Sequence, residues 1–388
     1  IIILGVGHNT KALALGYLPL IVAGFLTVLR GNYLKGFLIS SLFLGLQVHA
    51  NHYQMTYYTL IMLSIIVLVH YYSFINLKDF KKIYKSFSVF ISIGLLALLM
   101  NAPSLLATKE YSEFSTRSKN EITINTDGST KESLNGLDKE YITEYSYGIL
   151  ESFNLVFPRF MGGGSSERIR EDSKFMDFVR SLDSNQAQQV YQYSKVYWGD
   201  QPIVAAPAYI GISIFFIFLM SLLLVNDLNR KWILIAVLVS LLLSWGKNFS
   251  FLTDLMIDYF PLYDKFRAVS SIQVIIEFCV PLLAVFGLKN FLSVNTDDIK
   301  KLNALKYVSV FLILLILVFY FFGTSLFDFK SDFEIFSQYP EILSLIIEER
   351  QYVFESDLLR SLIIVICCSV SFYLFLNKFI KKDLTIFI

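Results

Sequence analysis

Long apolar runs alternate with short polar segments along most of this chain. Several of these runs reach about 20 residues, the length of helix that crosses a bilayer hydrocarbon core of about 30 Å. The pattern predicts nine membrane-spanning helices, at residues 12–29, 36–50, 55–73, 87–106, 204–225, 232–245, 268–289, 307–326 and 361–379. We therefore predict an all-α polytopic membrane protein.

One stretch, residues 107–203, interrupts this alternation. It is rich in Ser, Thr, Asn and Glu, and it contains no run long enough to cross a bilayer. Apolar residues at helical spacing predict one or two amphipathic helices at 173–199, and the letters FMGGGSSE predict a turn at 160–167. The predicted organisation is four spans in 1–106, the polar insertion 107–203, and five spans in 204–388 with loops at 246–267 and 327–360. A short interfacial helix, FLTDLMIDYF, is predicted within the first of these loops.

The composition agrees with a membrane protein. Hydrophobic residues make up 55% and charged residues 17% of the 388 residues, and the mean hydropathy is +0.57, which ordinary soluble domains do not reach. The net charge of +1 lacks the basic excess that is typical of nucleic-acid-binding proteins. The three cysteines lie within apolar runs and lack metal-ligand spacing. We expect the lipid bilayer as a partner, no nucleic acid, and no metal site among these residues.

The distribution of lysine and arginine predicts the orientation in the membrane. Cytoplasmic loops carry an excess of these residues, and most of the loop cations lie on one side when the RGNYLKG turn is placed in the cytoplasm. The short loops on the opposite side hold only a few cations, namely Lys11, Lys247, Lys265 and Arg267, and the long segment 107–203 is discounted because large translocated segments largely escape the rule. This orientation makes residues 107–203 extracytoplasmic.

Polar groups gathered at one membrane face predict a functional site. Lys265, Arg267 and Lys247 are candidate phosphate ligands, because a guanidinium fork and an ammonium group both bind phosphate oxygens. The other candidates for the wall of a substrate cavity are His8, Asn9, Lys11, His49, Asn51, His52, Trp198 and Asp200. The alternative is that these groups cap helices or contact lipid headgroups, and that the YWGDQP motif is a helix-ending turn.

Seven sequence blocks resemble the bacterial YfhO-type membrane proteins, in the order found in that family, across about residues 5–290. They are GHNTKALALGYLPLIVAGF, QVHANHYQMTYY, EYSEFSTR, LDKEYITEYSYG, YQYSKVYWGDQP, LLSWGKNF and FPLYDKFRAVSSIQVI. The resemblance implies a GT-C-like glycosyltransferase bundle with a large extracytoplasmic insertion, in the bacterial inner (cytoplasmic) membrane. It implies transfer of a sugar from a polyprenyl-phosphate donor to a cell-envelope glycan or lipid acceptor.

In that class of enzyme the catalytic carboxylate lies in the first outer loop. Because this chain begins at Ile1 within apolar sequence, we expect that loop to precede Ile1, and no residue here is assigned as catalytic. A divalent metal ion is a candidate cofactor only in that loop. Two other functions stay open. A lipid or polysaccharide transporter or flippase subunit would place polar groups and broken helices at the bilayer midplane, and a non-catalytic membrane scaffold would need none of the outer cations.

Overall fold

The computed structural model describes residues 7–115 and 136–380. Within these ranges the chain forms helices and turns without any strand. The α-helices are α1 Asn9–Leu29, α2 Tyr33–His49, α3 Tyr53–Asn76, α4 Phe80–Met100, α5 Ala102–Ser112, α6 Lys139–Thr143, α7 Lys174–Ser181, α8 Ser184–Tyr193, α9 Ile212–Leu224, α10 Leu228–Ser244, α11 Ser250–Tyr259, α12 Val274–Leu292, α13 Asp298–Leu326 and α14 Pro340–Leu376. The prediction of an all-α protein is confirmed for this part of the chain.

Six helical segments in the described part of the chain are long and apolar enough to cross a membrane. They are Asn9–Leu29, Tyr53–Asn76, Phe80–Met100, Val269–Leu292, Asp298–Leu326 and Pro340–Leu376. A seventh is added if Leu228–Ser244 and Gly246–Tyr259, which meet at an angle of 111°, count as one broken span. The protein is therefore a multi-pass membrane protein by the length and composition of its described helices.

The remaining predicted spans coincide with shorter helices. The second is α2, with 17 residues, and the fifth is α9, with 13 residues and a length of about 20 Å. The fifth is short because its helix begins only after Gly211, which has a φ of +103°. Such a left-handed conformation is accessible to glycine and interrupts a helix, so hydropathy alone overestimates the length of this span.

The described residues separate into two compact units. The first unit comprises Ile1–Tyr145 and Lys231–Ile276, and the second comprises Ser146–Arg230 and Glu277–Ile388. The polar insertion predicted at 107–203 thus contributes residues to both units. Each unit combines apolar helices with part of that insertion.

In the first unit, helices α1 to α4 pack against one another. Helices α1 and α2 approach closely at Gly36, where an added Cβ would lie 2.7 Å from the backbone nitrogen of Val28. Small residues permit this kind of backbone approach in membrane helices. The buried amide of Gln47 donates to the carbonyl of Ala14 at 2.9 Å and to the hydroxyl of Thr59 at 3.1 Å, which joins three helices. The bundle thereby places the starts of α1 and α3 beside the end of α2.

In the second unit, α13 and α14 form a long helical hairpin against which α9 packs. Helix α14 has 37 residues, about 55 Å, so it is longer than a bilayer core. Its first half packs its apolar residues against α7 and α8, through a core that contains Phe175, Val190 and Ile346. The stretch 173–199, predicted as one or two amphipathic helices, forms the two helices α7 and α8. Residues 340–360, predicted as part of a loop, are the beginning of α14.

Candidate functional site

The loop from Pro261 to Ala268, called here the 261–268 loop, has an unusual backbone. Two residues that are not glycine adopt left-handed conformations in it, Leu262 with a φ of +68° and Ala268 with a φ of +58°. Strained residues of this kind cost about 1–3 kcal/mol each and are concentrated at functional sites. The neighbouring segment 137–145 holds the loop in place: the amide of Leu137 donates to the carbonyl of Asp264, and the amide of Ala268 donates to the carbonyl of Ile142, both at 3.1 Å.

Arg267 is held in this loop by two different elements. Its exposed guanidinium donates through Nη1 to the hydroxyl of Tyr141 at 2.6 Å, and it lies 5.3 Å from the centre of the Tyr141 ring. Its backbone carbonyl accepts from the amide nitrogen of Gln54, in the first turn of α3, at 2.6 Å. The aromatic ring of Tyr57 packs against Phe266 at 5.4 Å. The loop therefore presents Arg267 from a braced backbone with its charged group toward solvent.

Lys265 differs from Arg267 because it already has an acidic partner. Its ammonium lies 2.7 Å from the carboxylate of Asp264, and the two side chains are 30% and 24% exposed. An incoming phosphate would have to share Lys265 with that carboxylate. Lys247 is exposed and lies where α10 ends and the chain bends by 111°. Helix α11 beyond this bend is joined to the 137–145 segment by an ion pair of 2.5 Å between Asp254 and Lys139.

The histidine-rich candidates lie at the ends of α1, α2 and α3. His8 and Asn9 begin α1, His49 ends α2, and Asn51 occupies the turn with a φ of +56° before His52. Burial lowers the pKa of His52 below its ordinary value of 6.5, and the charges of Lys11 and His8 lower it further. The structure therefore brings His8, Lys11 and His52 into electrostatic contact. Gln54, in the first turn of α3 and two residues after His52, donates to the 261–268 loop.

Replacing Lys11 with methionine is expected to raise the pKa of His52, because one of the charges that oppose its protonation is removed. In the wild type, the unfolded chain binds a proton at His52 more readily than the folded chain does. The stability of the fold therefore decreases as the pH drops through 6.5. The measurement is a histidine NMR titration of the protein in nanodiscs, with His52→Gln used to assign the signal. Lys35→Met is the matched control: Lys35 lies near the start of α2, about 20 Å along that helix from His49. An equal rise of the His52 pKa in Lys11→Met and Lys35→Met would contradict the proximity of Lys11 to His52.

The two candidates in the second unit have different environments. Trp198 is buried, with its ring centre 4.9 Å from that of Phe329, so it offers no exposed face on which a sugar could stack. Asp200 is partly exposed, and its charge acts on the carboxyl of Glu151. Trp198 contributes to the aromatic core of this unit, whereas Asp200 stays near its surface.

Glu151 is a buried carboxyl group that the sequence pattern did not reveal. It is fully buried, and it accepts hydrogen bonds from the Tyr197 hydroxyl at 2.7 Å, the Gln201 side-chain amide at 3.0 Å and the backbone amide of Gly148 at 3.1 Å. Burial raises the pKa of Glu151, and the charge of Asp200 raises it further, while these three donors lower it. The YWGDQP motif thus binds a carboxyl group of its own unit through Tyr197 and Gln201.

A small polar cavity adjoins this group. Tyr197, Gln201, Glu334 and Arg350 are among the residues that line it, and its volume is about 20 Å³. A cavity of that size holds about one water molecule, which excludes a sugar ring from this position. Across the ranges 7–115 and 136–380, no group of three or more His, Cys, Asp and Glu side chains has an arrangement that would hold a metal ion.

Comparison with known proteins adds no family to this geometry. No family model, no curated protein and no solved structure matches the chain.

Proposed function

We propose that this protein is a YfhO-type membrane glycosyltransferase with a GT-C-like bundle. It would transfer a sugar from a polyprenyl-phosphate donor to a glycan or lipid acceptor outside the cytoplasm. The observation that carries the proposal is the exposed guanidinium of Arg267, which is oriented by Tyr141 on a strained loop whose backbone is braced by Gln54. A loop that holds a cation toward solvent in this way is better suited to binding an anionic ligand than to anchoring the protein to lipid headgroups.

The donor phosphate would bind at the 261–268 loop. The planar guanidinium of Arg267 can donate two parallel hydrogen bonds to phosphate oxygens, and Lys265 adds a point charge. Lys247, at the bend after α10, is the third candidate cation. The polyprenyl tail would extend into the bilayer along the apolar helices that flank this loop. The proposed membrane is the bacterial inner membrane, with this loop on the extracytoplasmic side of a nine-span topology.

In the reaction, the acceptor hydroxyl oxygen would form a bond to the anomeric carbon as the bond from that carbon to the phosphate oxygen breaks. The hydroxyl proton would pass to a general base. No residue of this chain is assigned that role. Negative charge develops on the departing polyprenyl phosphate, and fixed cations in a partly dry site stabilise such charge. Arg267 and Lys265 would supply that stabilisation. His8, Asn9, Lys11, His49, Asn51 and His52 would form the polar wall that contacts the sugar.

The experiment measures sugar transfer from polyprenyl-phosphate donors by the full-length protein. Arg267→Ala is expected to lower kcat/KM for the donor by about 10–100-fold, because a hydrogen bond to a charged group contributes about 1.5–3 kcal/mol. Lys265→Ala is expected to have a smaller effect, since Asp264 already shares this cation. Arg168→Ala, an exposed arginine of the second unit, is the control and should behave like the wild type. Normal donor affinity and turnover in both loop variants would exclude the phosphate site.

The bend of 111° between α10 and α11 favours a second candidate function, a lipid-linked-sugar flippase. Broken membrane helices are typical of transporters, where they surround the substrate at the bilayer midplane. Proteoliposomes that contain a fluorescent polyprenyl-phosphate sugar separate the two functions. Translocation of the intact donor without transfer would support the flippase, whereas transfer to an acceptor without translocation supports the glycosyltransferase. A scaffold would show neither activity.

A further inference from the structure

A second feature that fits a lipid lies between α13 and α14, entirely within the second unit. These two helices enclose an open groove of about 500 Å³, a volume within the range of small-molecule sites. Its walls are apolar, with Leu302, Leu305 and Val310 on α13 and Val370 and Tyr373 on α14. Val310, Val370 and Tyr373 are each about half exposed, so the groove is a surface feature of the hairpin.

The polar atoms within the groove leave its interior apolar. Its two serines, Ser309 and Ser369, are hydrogen-bonded to each other through their hydroxyl oxygens at 2.8 Å. Ser369 also donates to the carbonyl of Val365 in its own helix at 2.7 Å. Hydroxyl groups that are paired in this way do not require water. An alkyl chain can therefore lie against these walls without leaving a polar group unsatisfied.

Among the described residues that line the groove, Lys306 is the one that carries a charge, and it is exposed. Side chains in a helix point toward the N-terminal end of that helix. The N-terminal end of α13 is the polar end of this span, because the long apolar run of the helix begins directly after Lys306. The Lys306 ammonium therefore extends toward the bilayer surface while its methylene groups cover the groove wall.

This end of the hairpin has an excess of positive charge. Lys300 on α13 and Lys378 just beyond α14 are both exposed. Of the nearby acids, Asp298 forms an ion pair of 2.8 Å with the buried Lys301, and Asp297 caps the amide of Ile299. The predicted topology places this end at the cytoplasmic leaflet, where anionic lipids give the membrane surface a negative potential.

We propose that this groove is a binding site for an anionic phospholipid of the bilayer. One acyl chain would lie along Leu305, Val310 and Val370, and the headgroup phosphate would bind the ammonium of Lys306 beside Tyr373. A second protein chain fits the groove less well. From Leu302 to Val310 the groove extends about 12 Å along the helix, too short for a protein interface of about 1,000 Å².

The test is native mass spectrometry of the purified full-length protein with phosphatidylglycerol or phosphatidylcholine of matched chain length. The wild type is expected to retain phosphatidylglycerol preferentially. Lys306→Ala should reduce that preference about fivefold, the equivalent of about 1 kcal/mol for one cation near an anionic lipid. Val370→Trp, which fills the groove, should reduce the retention of both lipids. Circular dichroism and thermal unfolding of each variant establish that the fold is retained.

Lys300→Ala is the matched control, because Lys300 is an exposed lysine of the same helix that does not line the groove. It is expected to reduce the preference clearly less than Lys306→Ala does, because its ammonium adds only to the general surface potential and not to the groove. If Lys300→Ala and Lys306→Ala reduce the preference equally, the attraction belongs to the whole surface and the site is excluded. Unchanged lipid retention in Val370→Trp would also overturn the proposal. So would a dimer of the wild type that Val370→Trp dissociates, because a second protein chain would then occupy the groove.

Discussion

Replacing Arg350 with methionine is expected to lower the free energy of unfolding by about 3–5 kcal/mol, the usual cost of removing one partner from a buried ion pair. The guanidinium of Arg350 is 1% exposed and lies 2.7 Å from the carboxylate of Glu334. It also donates to the carbonyl of Phe329 at 2.8 Å and to the carbonyl of Lys195 at 2.9 Å. Methionine fills much of the same volume but leaves these three acceptors without a donor. Chemical unfolding in mixed detergent micelles, followed by circular dichroism, measures the loss.

Two further variants separate the buried charge from simple packing. The double variant Arg350→Met with Glu334→Gln is expected to recover part of the stability, because it no longer leaves a carboxylate without its cation. Arg180→Ala breaks an exposed ion pair of 3.1 Å with Asp177, and exposed pairs contribute about 0–1 kcal/mol. If Arg350→Met loses no more stability than Arg180→Ala, Arg350 does not hold this part of the second unit together.

The helices themselves could largely be predicted from the hydropathy of the sequence. Every apolar run that was predicted to span the membrane contains a helix in the structure. The lengths were less predictable, because local conformations such as that of Gly211 shorten a helix without changing the hydropathy of its residues. The bend after α10 is similar, since it lies at Gly246, which has a φ of +47°, and hydropathy does not report a backbone conformation.

Helix α14 begins well before the predicted span 361–379, and its charged residues explain why the sequence did not indicate a continuous helix. Its first half contains Glu349, Arg350 and Asp357, and such charges normally mark a loop outside the membrane. In the structure each of them has a partner from residues 146–203: Glu349 binds Arg170, Arg350 binds the carbonyl of Lys195, and Asp357 accepts from the amide of Arg159. These partners lie between 155 and 198 residues away along the chain. No local pattern reports pairs at that separation, so the continuous helix could not be predicted.

The candidate site was predictable in part. Charge bias pointed to Arg267 and Lys265, and helix ends pointed to the histidines, but neither pattern identifies the residues that hold Arg267. Tyr141 and Gln54 are uncharged side chains in unremarkable positions, and they become relevant only through their contacts with Arg267. Both lie in the sequence blocks from which a YfhO-type protein was predicted, and those blocks were the one signal that could have found them. Trp198 shows the opposite case, because an aromatic residue in a polar motif was predicted to face substrate and is buried.

Glu151 provides the second large effect, and it depends on pH. Glu151→Ala is expected to lower the free energy of unfolding by about 3 kcal/mol, because it leaves the Tyr197 hydroxyl, the Gln201 amide and the Gly148 amide without their buried acceptor. Glu151→Gln keeps the shape of the side chain and should cost less. These values are measured by chemical unfolding in mixed detergent micelles at a pH near neutrality.

The pH dependence distinguishes a titrating carboxyl group from a merely buried polar one. Because the pKa of Glu151 is raised above 4.5 in the folded protein, the folded state binds more protons than the unfolded state as the pH rises from 4.5. Wild-type stability should therefore fall through that window, and Glu151→Gln should remove this contribution. Tyr197→Phe removes a hydrogen bond that favours the charged form, so it should move the fall in stability to higher pH. If the difference in stability between the wild type and Glu151→Gln is the same at every pH, Glu151 does not titrate in the folded protein, and its role is that of a fixed acceptor.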